Sequence, residues 1–485
     1  MQIRKWLGPC AAALWLALSP AATAPVAAQK PAALSPSDKA TGAKVREQIL
    51  QQFGGEVKGP LADYVRSVGT RVAMAAAPGS GPSDWTITVL DSPIPNAMAT
   101  PGGYLYITRG LLALMNDEAE LASVLGHEAG HVAARHSAKS QQRANLATIG
   151  AIAATVLTGS DLVGMGAQML GAGVLGQYSQ KQEYEADTLG LRYMSALGYD
   201  PYATADMLAA LNRASIVEKG TSAERNRGAS IFASHPLTDA RVARARKLAS
   251  DTGIPPGTRK RNPEPFLAAL DGMAWGDSAD QGFVRGTSFR HPGFGFAFDA
   301  PAGFEMQNSP TAVRGRGPDG SQFIFSGAQI PPGRSLDDVA RDAWKQLAGG
   351  VPANAQGNRL QVNGFDTLDT NARVSSRQGA SDVGVTVYRW SNNSVFIMVT
   401  QAPAGRLGAM DSLVRSFRRM SPEEARNQAA GQKLKVVTVR AGDTVETLAR
   451  QMAFPDNQVM RFLALNGMEY RPLRPGERVK LIVSG

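Results

Sequence analysis

The chain has 485 residues, 43% of them hydrophobic and 19% charged, with a formal net charge of +10. That length makes about three domains with packed cores and excludes a disordered or fibrous chain. The basic balance comes with no aromatic–basic nucleic-acid motif, so no nucleic-acid partner is expected and the charge reads as a solvated surface.

Residues 1–28 read as a signal peptide. Arg4 and Lys5 form the positive start, Ala11 to Leu18 the apolar run, and Val26-Ala27-Ala28 the cleavage signal before Gln29. The expected location is therefore the bacterial periplasm. The only cysteine, Cys10, lies in this segment, so no disulfide is expected after cleavage. Residues 29–41 are rich in Pro, Ser and Ala and read as a flexible leader. A domain over 42–250 follows, with helices near Gly42–Phe53 and Leu61–Ala76 and a strand at Asp84–Leu90. Asn96 to Thr108 reads as a strand, a turn at Pro101-Gly102-Gly103 and a second strand. Gly103, Tyr104, Leu105, Tyr106 and Ile107 are expected to form an edge to which an extended peptide adds.

The next helix carries His127-Glu128-Ala129-Gly130-His131. Positions i and i+4 share one helix face, so two imidazoles can bind one metal ion, and Glu128 is placed to take a proton from a water at that ion. Asp117 and Glu120 form a capping pair at its start, and Leu121, Val124, Leu125 and Val132 an apolar stripe. A catalytic zinc wants a third protein ligand. His136, His235, His291 and helical carboxylates are the candidates. Glu183 and Asp187, also i,i+4, are the best: Glu183 as ligand, Asp187 as the group that orients a ligand histidine. His136 lies five residues after His131, off the ligand face, and is expected at the surface. His291 is expected to be structural. The segment 144–177 has one charge, Asp161, and reads as apolar helices beside the site. Its second reading is a lid or a peripheral membrane contact.

Four separated features occur in order: His127–His131, Glu183–Asp187, Asn96-Ala97-Met98-Ala99-Thr100-Pro101-Gly102-Gly103, and Ser234-His235-Pro236-Leu237 with Arg241. Together they resemble the zinc metallopeptidase family of the CAAX prenyl protease and the HtpX heat-shock protease, in its soluble periplasmic branch of beta-barrel assembly-enhancing proteases. The resemblance implies a mainly helical zincin-type (gluzincin) domain with a small sheet. It also implies one zinc ion per chain on His127, His131 and Glu183, with Glu128 as general base and Asp187 behind the ligands. His235 would approach the zinc and act near the transition state, and Arg241 would help to stabilise the oxyanion. The substrates implied are unfolded or extended polypeptides of the cell envelope. No tetratricopeptide-type repeat follows, so delivery of an outer-membrane barrel substrate through such repeats is not expected.

Residues 251–265, with Arg259-Lys260-Arg261, read as a linker. Residues 266–420 read as an α+β domain of short alternating segments that resembles PsbP/MOG-type domains and shows no cluster for chemistry. Residues 421–433 read as a second linker. Residues 434–485 follow the order βααβ. Thr438 to Thr444, Leu448-Ala449, Leu465-Asn466 and Leu473-Arg474-Pro475-Gly476 resemble a LysM domain, which implies binding to peptidoglycan. The whole chain thus reads as α+β and multidomain. Two other functions fit the same features: a catalytically silent chaperone or scaffold on the cell wall, and a hydrolase of peptidoglycan peptides.

Overall fold

The computed structural model describes residues 34–136, 178–220, 235, 239–376 and 379–485. The expected signal peptide, the apolar segment 144–177, and Ser234, Pro236 and Leu237 lie outside the described residues. The fold is α+β with several sheets.

Helix α1 (Pro36–Gln52) begins earlier than composition suggests, so residues 36–41 are helical and not a flexible leader. Ser35 caps it by accepting from the Asp38 N–H at 3.1 Å, and Pro36 sits at the first helical position, where its missing N–H is not needed. Gly42 lies against the 101–104 turn, where an added Cβ would meet the Pro101 carbonyl at 2.1 Å. Gly102 and Gly103 make that turn with φ of 87° and 86°, a region costly for any other residue.

Helix α2 (Pro60–Ala76) leads into a three-stranded sheet of β1 (Thr86–Leu90), β2 (Ala97–Thr100) and β3 (Tyr104–Thr108). Here the structure corrects the sequence. β3 pairs in parallel with β1, Thr86 opposite Tyr104, and antiparallel with β2, Ala97 opposite Ile107. It is the central strand, so Gly103 to Ile107 are not an edge. The reason is that β1 and β3 bury matching faces: Ile87 and Val89, Leu105 and Ile107 all enter one core. The outer side of β1 is closed by residues 55–57, with the Val57 N–H donating to Val89 O at 2.8 Å and the Asp91 N–H to Gly55 O at 3.0 Å. Among the described residues β2 is paired on one side only, and it packs on the H-E-x-x-H helix.

Short helix α3 (Arg109–Leu114) precedes that helix, α4 (Glu118–Ala133). The Asp117 side chain caps α4 by accepting from the Glu120 N–H at 2.9 Å. Leu121 and Leu125 are fully buried, against Val65, Val68 and Val72 of α2 among others. Helices α5 (Gln180–Ala196), α6 (Ala203–Gly220) and α7 (Asp239–Asp251) complete the shell around the site. α5 begins with a capping box between Ser179 and Gln182.

The stretch 251–265 is stitched to this body. Arg261 pairs with Asp117 at 2.6 Å and Asp206 at 2.7 Å, the Lys260 N–H donates to Gly198 O at 3.2 Å, and the Gly257 N–H donates to Asp200 Oδ2 at 3.0 Å. Its basic run has found the acidic start of α4. Helix α8 (Pro263–Leu270) then puts Phe266, Leu267 and Leu270 into the same core.

The middle region holds a seven-stranded antiparallel sheet between Glu305 and Pro403, with helix Leu336–Ala348 packed on it and a second, four-stranded sheet. Residues 422–428, within the second expected linker, are helical, capped by Ser421. The C-terminal unit shows the expected order of strand, helix, helix, strand: β5 (Gln432–Thr438), α9 (Val445–Ala449), α10 (Gln458–Leu465) and β6 (Arg478–Ser484). β4 (Ala274–Trp275) adds a third strand beside β5.

This unit is not a separate bead. Leu434, Phe462, Leu465, Leu481 and Ile482 belong to one apolar core with α2, α4 and α8. Lys480 is fully buried, and its Nζ donates to the carbonyls of Ala113 and Met115 at 2.6 Å each, at the end of α3. Burial pushes Lys480 down to about 7, against the pull of Glu120 and Asp117. Arg213 Nη2 donates to the Gly467 carbonyl at 2.6 Å, and Asp271 accepts from the Val436 N–H at 2.8 Å.

Candidate active site

α4 presents His127 and His131 one turn apart, and α5 presents Glu183 and Asp187 in the same way. The helices come close because small residues line their contact: Gly126 and Gly130 on α4, Ala186 and Gly190 on α5. A Cβ on Gly190 would lie 2.6 Å from the His127 nitrogen and 2.8 Å from the Gly126 carbonyl carbon. Sequence reasoning missed this seam. Its only signal was the glycines spaced between ligands and in the facing helix.

His127, His131, Glu183 and His235 each turn one ligand atom to a common point, all within 4.8 Å of one another. His127 Nε2 is 3.0 Å from His131 Nε2, 3.6 Å from Glu183 Oε2 and 3.3 Å from His235 Nδ1. His131 Nε2 is 3.5 Å, and His235 Nδ1 2.9 Å, from Glu183 Oε1. A tetrahedral ion with ligands at about 2.05 Å separates them by about 3.3 Å. The spacings scatter around that edge length. Three imidazole nitrogens and a carboxylate oxygen converging in this way are the donor types that bind zinc. The donor set fits a metal ion.

The charges fit as well. Burial alone would raise the Glu183 carboxyl, but His131, His235 and His127 hold it far below the usual carboxylate range. Asp187 is held at about 2 against its burial by His127 and Arg241. Burial pushes His131 well below an ordinary histidine, which keeps it neutral and ready to ligate. Glu128 is 1% exposed and raised by burial, with Oε2 lacking a hydrogen-bond partner among the described residues and Oε1 3.7 Å from His235 Nε2. A cavity of about 40 Å³ opens beside His127 and Glu128, walled by Val124, Leu191, Met207 and Leu208.

The outer contacts sort the remaining residues. Asp187 Oδ1 lies 2.9 Å from His127 Nδ1, the place expected of a group that orients a ligand. Arg241 reaches Glu183 Oε2 at 2.7 Å and Asp187 through Nε at 3.0 Å and Nη2 at 2.7 Å. Its guanidinium is engaged with both carboxylates, so it anchors them and is not poised as an oxyanion donor. His235 is brought into the cluster. His136 is not at the surface. α4 ends at Ala133, and Arg135 takes a left-handed φ of 55°, which turns His136 back beneath His131 instead of onward round the helix. It is fully buried, its Nδ1 3.0 Å from His131 Nδ1. His291 lies in the middle region, where its Nδ1 accepts from the Phe294 N–H at 3.1 Å.

Comparison with known proteins bears on the same segment. Residues 61–249 match the model of Peptidase family M48. The matched segment contains the four clustered residues and the helices α4 and α5. Mitochondrial metalloendopeptidase OMA1 of Schizosaccharomyces pombe is 32% identical over 164 residues, which cover 32% of this chain and 47% of that one. The beta-barrel assembly-enhancing protease of Yersinia pestis is 30% identical over 201 residues, 39% of each chain. Metalloprotease LoiP of Escherichia coli is 31% identical over 166 residues, 33% of this chain and 60% of that one. The chain thus spans between 39% and 60% of the length of these relatives. Solved structures of a cyanobacterial PsbP and of the yeast Ran-binding protein Mog1p align over 28% and 29% of the chain, at 15% and 11% identity and a TM-score of 0.23 each. No helix among the described residues is long and apolar enough to cross a membrane.

Proposed function

We propose that the protein is a zinc-dependent endopeptidase that cleaves extended or unfolded polypeptides in the bacterial cell envelope. The observation that carries this is the convergence of His127, His131 and Glu183 at tetrahedral spacing, with the Glu128 carboxylate buried beside them. The envelope setting rests on the N-terminal segment of the sequence and on relatives named as beta-barrel assembly-enhancing proteases.

His127, His131 and Glu183 would hold the ion, which supplies Lewis acidity and brings the pKa of water toward neutrality. Asp187 accepts from His127 Nδ1 and so keeps Nε2 unprotonated toward the ligand position. Arg241 holds the Glu183 and Asp187 carboxylates in register. Glu128 removes a proton from the attacking water and returns it to the leaving amine, and its raised affinity for protons in a buried pocket suits that exchange. His235 Nδ1 takes the fourth corner of the cluster, so a substrate or water reaches that corner only when His235 withdraws. The side of β2 left unpaired among the described residues supports an extended substrate added as a strand, with little demand on its sequence.

The test is Glu128→Gln in the full chain. The variant is expected to retain one zinc per chain by metal analysis and to lose digestion of unfolded casein by roughly 10²–10⁴-fold. Digestion at the parent rate would overturn the proposal.

A further inference from the structure

We infer that His136 is a positioning residue for the metal centre: it fixes the tautomer of His131, and Glu185 fixes His136 in turn. The inference rests on the metal-centre reading above and extends it to a pair of residues outside the ligand set.

The proton assignment follows from distances. His131 Nε2 faces the cluster, 3.0 Å from His127 Nε2 and 3.5 Å from Glu183 Oε1. A nitrogen that ligates a metal carries no proton, so neutral His131 holds its proton on Nδ1. That Nδ1 lies 3.0 Å from His136 Nδ1, and two nitrogens so close share one proton. His131 therefore donates and His136 accepts. Neutral His136 must then carry its own proton on Nε2, and Nε2 lies 3.3 Å from Glu185 Oε2. The relay closes without conflict: ligand nitrogen, His131, His136, carboxylate.

The surroundings are built to hold this arrangement. His131 and His136 are both fully buried, while the Glu185 side chain is half-exposed at the rim. The left-handed Arg135 makes the turn that tucks His136 in, and the Arg135 guanidinium pairs with Asp38 of α1 at 2.9 Å. Tyr178 stacks on His131 with ring centres 3.9 Å apart, which fixes the plane in which its nitrogens point. The two ligand histidines are thus oriented by different means. His127 leans on an anionic carboxylate, and His131 on a neutral ring with the carboxylate one step further out.

The experiment measures zinc affinity of the full chain by competition with a chromophoric chelator, for the parent, His136→Leu and His136→Asn. Leucine fills the space without an acceptor. Asparagine places an amide oxygen near the position of Nδ1. Groups that orient ligands typically contribute 10–100-fold to metal affinity, so His136→Leu is expected to bind zinc roughly 10–100-fold more weakly, with His136→Asn recovering most of the loss. Thermal unfolding of the metal-free proteins is expected to be the same for both variants. Parent-like affinity in His136→Leu overturns the inference, as does an equal loss in both variants, which would mark a packing role. If His136→Leu does not fold, His136→Asn against the parent decides: near-parent affinity supports the relay, and a full loss overturns it. A parent that takes up no zinc would instead overturn the reading of the site.

Discussion

The approach of α4 to α5 sets the ligand spacing, and Gly190 sets the approach. An alanine methyl at Gly190 would sit 2.6 Å from the His127 nitrogen, 2.8 Å from the Gly126 carbonyl carbon and 3.0 Å from His127 Cα. Carbon contacts settle near 3.5–4.0 Å, so the helices must part by roughly 1 Å. All three atoms are backbone, so no rotamer change relieves the contact. Glu183 rides on α5 and retreats from His127 and His131 by a similar distance, several times the ~0.2 Å tolerance of a metal–ligand bond. Overpacking of this kind costs about 1–3 kcal/mol. Without metal the helices can relax apart, and zinc must then draw them back against that strain. Gly190→Ala is therefore expected to weaken zinc binding by roughly 5- to 150-fold, the equivalent of that strain in a coupled equilibrium. Chelator competition on the full chain reads the affinity, and circular dichroism confirms the fold. A folded variant whose affinity stays within about twofold of the parent would show that the seam does not set the site, because even the low end of that strain range exceeds such a change.

Two further perturbations probe regions away from the ligands. Burial holds His291 down at about 4, so between pH 4 and its ordinary 6.5 the unfolded chain binds more protons than the folded one. Stability should therefore rise with pH across that window, by up to about 3 kcal/mol. His291→Gln should flatten the urea-midpoint profile there, and an unchanged slope would refute the assignment. Lys480→Met leaves the carbonyls of Ala113 and Met115 without their buried donor and removes a cation near Asp117 and Glu120. A loss of about 3 kcal/mol is expected, with faster amide exchange over residues 113–121. Parent-level protection of those amides would show that Lys480 does not hold the start of α4.

What was legible in the sequence was local. His127 with His131, and Glu183 with Asp187, are pairs one helical turn apart, and helix geometry alone puts each pair on a face. The central place of β3 was not legible, because strand order is decided by which distant segment buries the matching face. β1 lies on the other side of β2 in sequence yet joins β3 directly. His136 was misplaced because counting residues along a helix assumes that the helix continues, and the left-handed turn at Arg135 stops it. The stretch 251–265 has the composition of a linker, but the partners of Arg261 lie on α4 and α6, and composition says nothing of partners.

The buried Lys480 ties the metal-cluster region to the calendar of its own synthesis. Its partner Ala113 stands 367 residues earlier, at the end of α3 and just before α4. At ~5–20 residues per second that gap corresponds to about 20–70 s of translation. Through that interval a nascent chain soon carries His127, Glu128, His131 and Glu183, yet the start of α4 waits for an anchor not yet made. Contacts of such long range also close late, after the loop entropy between them has been overcome. Joining the end of α3 to β6 makes synthesis of Lys480 a condition for a rigid start of α4.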